Sequence, residues 1–197
     1  MRMRNPKDKD EVINSCDFFY DEFKDDKPIH LEIGMGKGKF ILEMALKYPQ
    51  YNFVGVEKYS SVASVAIKKI REVKPKNLKI LIMDAQNLGD ILEGKVDTIY
   101  LNFSDPWPKE RTKNRRLTSV VFLRIYDDLF YDEKKIIMKT DNLGLFASSL
   151  VSLSNYGYSF SNVNLDLHHS DIPNVLTEYE KKFQELGVKI NYLDAKK

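Results

Sequence analysis

From residue 29 onward, short apolar runs alternate with stretches whose apolar residues recur every three or four positions. IHLEI (29–33), NFVGVE (52–57), LKILIM (78–83), VDTIYLNF (96–103) and KIIM (135–138) read as buried strands. Between them, Phe40, Ile41, Met44 and Tyr48 share one helical face, as do Val62, Val65, Ala66, Ile70 and Val73 after Ser60 and Ser61. Thr118 is placed to cap a helix carrying Val121, Phe122, Ile125 and Leu129, and another helix is expected over 142–153. Strands that are apolar throughout, separated by helices, predict an α/β domain: a mostly parallel central sheet with helices on both faces. The tail breaks the pattern. GYSFSNVNL (157–165) and GVKINYL (187–193) flank a helix expected to start near Pro173, and are expected to pair as an antiparallel edge.

Residues 1–28 are polar and lack this periodicity, so the domain is placed at 29–197 behind an extension that is partly disordered or briefly helical. Arg2, Arg4, Lys7 and Lys9 make the extension a candidate RNA-contacting arm. A chain of 197 residues with 43% apolar residues supports one domain with a hydrophobic core. The single cysteine, Cys16, excludes an internal disulfide and a cysteine zinc cluster, and fits a reducing cytosol. Neither a signal-peptide run nor the ~18 consecutive apolar residues of a membrane span occurs, so a cytoplasmic protein without membrane attachment is expected. The net charge of +2 hides an uneven distribution. From Lys109 to Arg124 there are six basic residues and one acid, a local balance of +5, which leaves −3 for the rest of the chain. One cationic patch on a mildly acidic body suits a polyanion that docks in one place.

Chemistry concentrates at the strand ends. In LEIGMGKG, Gly34, Gly36 and Gly38 follow the first strand and open a helix, where glycine permits a tight turn and close approach of a ligand. The dinucleotide fingerprint needs its third glycine at 39, which is Lys39; the spacing is closer to the S-adenosylmethionine loop of Rossmann-like methyltransferases. A tight strand-to-helix turn alone explains the glycines about as well. Three acids shift the balance toward a cofactor. Glu57 ends the second strand, where a carboxylate can accept from both hydroxyls of a ribose. Asp84 ends the third, beside an adenine site or as a helix cap. Glu32 lies inside the first strand, and a buried carboxylate needs a cationic or hydrogen-bonding partner such as a methionine ammonium.

The stretch NFSDPWPKERTKNRR (102–116) ends the fourth strand, where open α/β sheets bind their ligands. Asp105 and Trp107 each precede a proline, so the turn is expected to be extended and stiff, fixing an acid and an aromatic at a pocket rim. Arg111, Lys113, Arg115 and Arg116 are candidates for phosphate contacts, and Trp107 for stacking on a base. His168 and His169 sit beside Asp166 and Asp171, but adjacent histidines in a strand point to opposite faces, so no metal is expected.

LEIGMGKG, VGVE, NFSDPWPK followed by RTKNRRL, KTDN (139–142) and TEYE (177–180) occur in one order and together closely resemble the bacterial tRNA (guanine-N7-)-methyltransferase family. The resemblance runs from about residue 29 to the end. It implies a Rossmann-like methyltransferase fold and transfer of a methyl group from S-adenosylmethionine to N7 of a tRNA guanine, usually position 46 in the variable loop. It also implies donor-binding roles for Glu32, Glu57 and Asp84, with Asp105 in the site and catalytic, and substrate contacts for Lys109, Asp141, Thr177 and Glu180. Glu180 is the first choice for reading the N1–H and N2–H edge of guanine, and Asp141 the second. ERTKNRR departs from a Lys-Arg-His order commoner in the family, which leaves the register of phosphate contacts open. Alternatives are a methyltransferase for an exocyclic amino group, a nicotinamide-dependent oxidoreductase and a non-catalytic RNA-binding protein. The oligomeric state is open between monomer and homodimer.

Overall fold

The computed structural model describes residues 6–197. Among them, seven strands form one sheet: β1 (Ile29–Ile33), β2 (Asn52–Glu57), β3 (Leu78–Ile82), β4 (Val96–Asn102), β5 (Phe130–Thr140), β6 (Ser159–Asn164) and β7 (Asn191–Lys196). Their order is β3-β2-β1-β4-β5-β7-β6, with β1 to β5 parallel and β7 antiparallel to both its neighbours. The chain order reverses between β1 and β4, so the crevice at their carboxyl ends is where a ligand fits.

The helices divide between the two faces. On one side, α1 (Lys9–Asn14), α2 (Lys39–Lys47) and α3 (Ser60–Val73) cover a core of Phe40, Ile41, Met44, Phe53, Ile67, Ile70 and Ile80. On the other, α4 (Gly89–Leu92), α5 (Val120–Leu129) and α6 (Leu143–Asn155) cover Leu31, Val54, Val56, Ile99, Leu101, Leu123, Tyr126 and Met138. The tail helix α7 (Glu178–Glu185) packs through Phe183 near Ile190 and Tyr192.

Several boundaries differ from those expected, each for a local reason. Ser119 rather than Thr118 precedes α5; Thr118 is buried and its hydroxyl pairs with that of Ser149 at 2.7 Å. The buried face of α5 is Phe122, Leu123, Tyr126 and Leu129, whereas Val121 is exposed. In α3 the buried face is Ala63, Ala66, Ile67 and Ile70, since small side chains let the helix approach the glycine loop: a Cβ on Gly38 would lie 2.8 Å from that of Ala66. The tail helix starts not near Pro173 but at Glu178, where Thr177 and Glu180 form a reciprocal capping box. β7 begins at Asn191 and inserts between β5 and β6, so β6 alone is the edge on the antiparallel side, β3 being the opposite edge.

The described part of the extension is attached to the sheet. Arg71 donates to the carbonyls of Val12 and Ser15, both at 3.1 Å, fixing α1 to α3. Residues 18–20 run along β3, with Ile80 N–H donating to Phe18 O at 3.1 Å and Tyr20 N–H to Ile80 O at 3.0 Å. This covers an edge that would otherwise expose unpaired backbone groups. Arg2 and Arg4 lie outside the described residues, and Lys9 pairs with Asp10 at 3.2 Å.

Candidate functional site

Side chains alternate along a strand, so His30 and Glu32 of β1 face the α2 side together with Tyr100 and Asn102 of β4 and Ile137 and Lys139 of β5. This sheet face is polar toward its upper end. Glu32 is 2% exposed, with Asn102 Nδ2 donating to its Oε1 at 2.9 Å. Its Oε2 is buried without a partner among the described residues. Burial pushes the Glu32 carboxyl up to about 7, against the opposing effects of Asn102 and Lys139. An unpaired buried carboxylate oxygen costs free energy that an ammonium would recover.

Directly after β1 the chain turns through three left-handed glycines: Gly34 at φ 80°, Gly36 at 57° and Gly38 at 73°. A Cβ on Gly34 or Gly36 would meet no atom of the described residues within 4 Å, so this backbone borders open space. Glu57 holds the loop, accepting from Gly36 N–H at 3.1 Å on one oxygen and from Tyr59 N–H at 2.9 Å on the other. Burial raises the Glu57 carboxyl above its ordinary value, opposed by those two N–H groups, and the charge of Asp105 adds to the rise. Asp84 is both the cap and the ion-pair partner: Gln86 N–H donates to Oδ1 at 3.0 Å and Lys58 Nζ lies 2.6 Å from Oδ2. Lys58 holds the Asp84 carboxyl below the usual range. The residues present fit an S-adenosylmethionine-type ligand: an unpartnered buried anion, an open glycine cradle and two acids at successive strand ends.

The turn after β4 is less uniformly extended than its prolines suggest. Phe103 (φ 51°) and Trp107 (φ 40°) are both left-handed, a conformation costing about 1–3 kcal/mol for a non-glycine residue. Arg116 offsets this strain by donating to the carbonyls of Pro106 (3.2 Å) and Trp107 (3.1 Å), and Arg115 lies over the indole at 4.9 Å. Asp105 projects exposed from the turn. Lys109 caps a 3-10 segment, Glu110–Arg115, in which Lys113 pairs with Glu110. The basic strip is therefore divided: Lys109 and Arg111 are exposed, and Arg116 is occupied in building the turn.

The tail holds the largest departure from expectation. Glu180 is fully buried. Its Oε2 lies 2.7 Å from Lys139 Nζ and accepts from Thr177 N–H at 3.3 Å; its Oε1 faces His168 Nε2 at 3.1 Å and accepts from Asn174. Lys139 also donates to Asn174 Oδ1 at 3.0 Å and the Val175 carbonyl at 2.9 Å, so all three of its protons have acceptors. Burial lowers the Lys139 pKa against the pull of Glu180; burial also opposes the Glu180 charge, but Lys139 and its other donors keep that carboxyl below the usual range. Thr177 is likewise buried, as the helix cap. Asp141 does not cap α6; Asn142 does, accepting from Leu145 N–H at 2.8 Å, and Asp141 is left half-buried beside Tyr179. His169 pairs with Asp166 at 3.0 Å. Among the described residues no group of three or more metal-ligating side chains comes together.

Four participants were not anticipated: Asn102, Lys139, Glu178 and Tyr179. Lys139 had a signal, a lysine inside the apolar run KIIMKT, where an unpaired charge cannot be accommodated. Tyr179 is 51% exposed, with Phe103 at 5.3 Å and Phe183 at 4.5 Å, and forms an aromatic wall at the site.

Sheet order, glycine cradle and strand-end acids together define the Rossmann-like methyltransferase class. Solved structures of that class superpose on this chain. An antibiotic-related methyltransferase gives a TM-score of 0.64 at 19% identity over 100% of this chain and 96% of its own. A 16S rRNA (adenine(1408)-N(1))-methyltransferase variant from Catenulisporales acidiphilia gives 0.62 at 13% identity over 99% and 92%. A family model described as "Putative methyltransferase" matches residues 26–193. The tRNA (guanine-N(7)-)-methyltransferase of Bacillus licheniformis is 47% identical over 88% of this chain and 82% of its own length. That of Geobacillus thermodenitrificans is 48% identical over 90% and 83%. The chain belongs to the tRNA (guanine-N(7)-)-methyltransferase family.

Proposed function

We propose that the protein methylates N7 of a guanine in tRNA, at position 46 of the variable loop, with S-adenosylmethionine as donor. The observation that carries the donor site is the unpartnered buried Oε2 of Glu32 next to the open Gly34–Gly36 cradle; family membership carries the acceptor. Glu32 would take the methionine ammonium, Glu57 the ribose and Asp84 the adenine. The donor supplies a methyl group on a sulfonium, an electrophile that needs no metal or base.

Guanine N7 has an in-plane lone pair and no proton to lose. With the donor held by Glu32, Glu57 and Asp84, its methyl would pass to N7 while the carbon–sulfur electron pair would stay with sulfur, so the task of the chain's own residues is to hold the two partners in line. Alignment of the two partners supplies several kcal/mol of the barrier reduction. The purine becomes cationic, and Asp105 at the rim would stabilise that charge or orient the base. Glu180 is committed inside the protein, so edge reading falls to Asp141, with Tyr179 as the stacking face and Glu180 as the residue that holds the wall. Lys109, Arg111 and Arg115 would hold phosphates, offsetting the few kcal/mol needed to unstack the base. The protein is placed in the cytoplasm, where its tRNA substrate is found.

The test is transfer of labelled methyl from S-adenosylmethionine to unmodified tRNA transcript, followed by nucleoside mass spectrometry and mapping of the site. The expected product is 7-methylguanosine at position 46; methyl on another atom would overturn the acceptor assignment and keep the donor site.

A further inference from the structure

The Glu32 carboxylate is closed off: the residue is 2% exposed and its unpartnered oxygen is out of contact with solvent. A ligand that pairs with it needs the groups around that oxygen to give way, and Lys139, whose charge acts on Glu32, ties this part of the site to α7. The first turn of α7 joins three walls through three consecutive side chains. Glu178 pairs with Lys37 of the glycine loop at 3.5 Å and with Lys69 of α3. Tyr179 rests on Phe103 of the turn after β4, and Glu180 is bonded to Lys139 of β5.

These anchors differ in strength. The Glu180–Lys139 pair is 0% and 3% exposed and further bonded on both sides, so separating it would strand buried charge. In the Glu178 pairs the side chains are 35–49% exposed, where water and salt screen the attraction. One end of the turn is fixed and the other is releasable. Lys37 lies between Gly36 and Gly38, so releasing Glu178 removes one tether of the loop and leaves the bond from Gly36 N–H to Glu57 as the other.

We propose that Glu178 is a positioning residue that latches α7 to the glycine loop, and that opening of its ion pairs with Lys37 and Lys69 sets the rate of donor and product exchange. The proposal rests on the donor-site reading above. Breaking the latch speeds entry and exit together, because one opening step serves both directions, and changes equilibrium affinity much less.

The test is surface plasmon resonance of S-adenosylhomocysteine on the immobilised full-length protein, comparing wild type with Glu178→Gln and Lys69→Met at two salt concentrations. In Glu178→Gln, association and dissociation rates are expected to rise together by about threefold to tenfold, the range for losing one or two exposed ion pairs. Lys69→Met should move both rates in the same direction. Raising salt from about 0.05 M to about 0.5 M should accelerate exchange in the wild type and have little effect in Glu178→Gln. A fall in melting temperature of no more than a few degrees matches the loss of those ion pairs; the parallel rise of both rates is what a merely structural role would not produce. Rates equal to wild type overturn the latch, as does weaker affinity through dissociation alone, which would make Glu178 a donor contact. If the wild type does not bind S-adenosylhomocysteine, the donor-site reading falls and the latch with it.

Discussion

Glu32 shows how one side chain turns burial into a ligand requirement. Its carboxyl titrates at about 7 because solvent is excluded, with Asn102 satisfying only half of it. The folded pKa is raised above the ordinary carboxyl value of 4.5, so stability from the protonated form is fully present below that value and is lost as pH rises through about 7. Donor binding follows the opposite course, since an ammonium pairs with the ionised form. Calorimetric titration should show affinity falling about eightfold from about pH 7.5 to about pH 6, as the ionised fraction shrinks. Glu32→Gln should bind more weakly at all pH values and lose this dependence. Asp105 is a different kind of acid, exposed on a turn held by Arg116. Asp105→Asn should retain donor binding and lower single-turnover methyl transfer by about 10²-fold, the scale for one electrostatic contact to developing charge; undiminished turnover at saturating tRNA would exclude that role.

Among the elements, the strap from Asn174 to Glu180 has the most to lose from one substitution. It is fastened to β5 by Lys139, which has three acceptors, and Glu180 would be stranded if that lysine were removed. Lys139→Met is expected to destabilise the protein by about 3–5 kcal/mol in chemical denaturation. Adding Glu180→Gln should recover part of the loss, since the remaining buried group is then neutral. Gly38→Ala tests the opposite side of the site. The residue is left-handed and its new Cβ would meet Ala66, so α3 must move away from the glycine loop. A loss of about 1–3 kcal/mol and weaker donor binding are expected, whereas Gly89, with nothing within 4 Å, should accept alanine.

At the scale of the whole molecule, the cationic patch faces the same mouth as the donor cleft, because the turn after β4 connects both. The charges do not all serve the same purpose. Arg111 is exposed and should act through phosphate, so Arg111→Ala should weaken tRNA binding and reduce the salt dependence, from a log–log slope of roughly −2 to −3, by about one. Arg116 builds the turn, so Arg116→Ala should act chiefly on turnover, with a smaller change in that slope. Filter binding across a salt series, run beside a methyl-transfer assay, separates the two.

The sequence by itself determined the parallel sheet and its ligand-binding end. Five apolar strand segments, the glycine loop and the strand-end acids were legible because each is a local pattern, set by period, turn chemistry or position relative to a strand. The family was legible because its motifs are contiguous and ordered. What tertiary structure decided is which polar groups are consumed in building the protein. Glu180, Thr177 and Arg116 look like surface recognition groups in the sequence, yet their partners lie at Lys139, Glu180 and the Trp107 carbonyl. Lys139 and Glu180 are 41 residues apart, and no local pattern specifies that contact. The helix start was missed for a related reason: Pro173 is a good first-turn residue, but the strap is held extended by bonds from β5, and the capping box at Thr177 sets the boundary. Propensity acts over neighbouring residues, whereas a buried charge must find its partner wherever the fold places one.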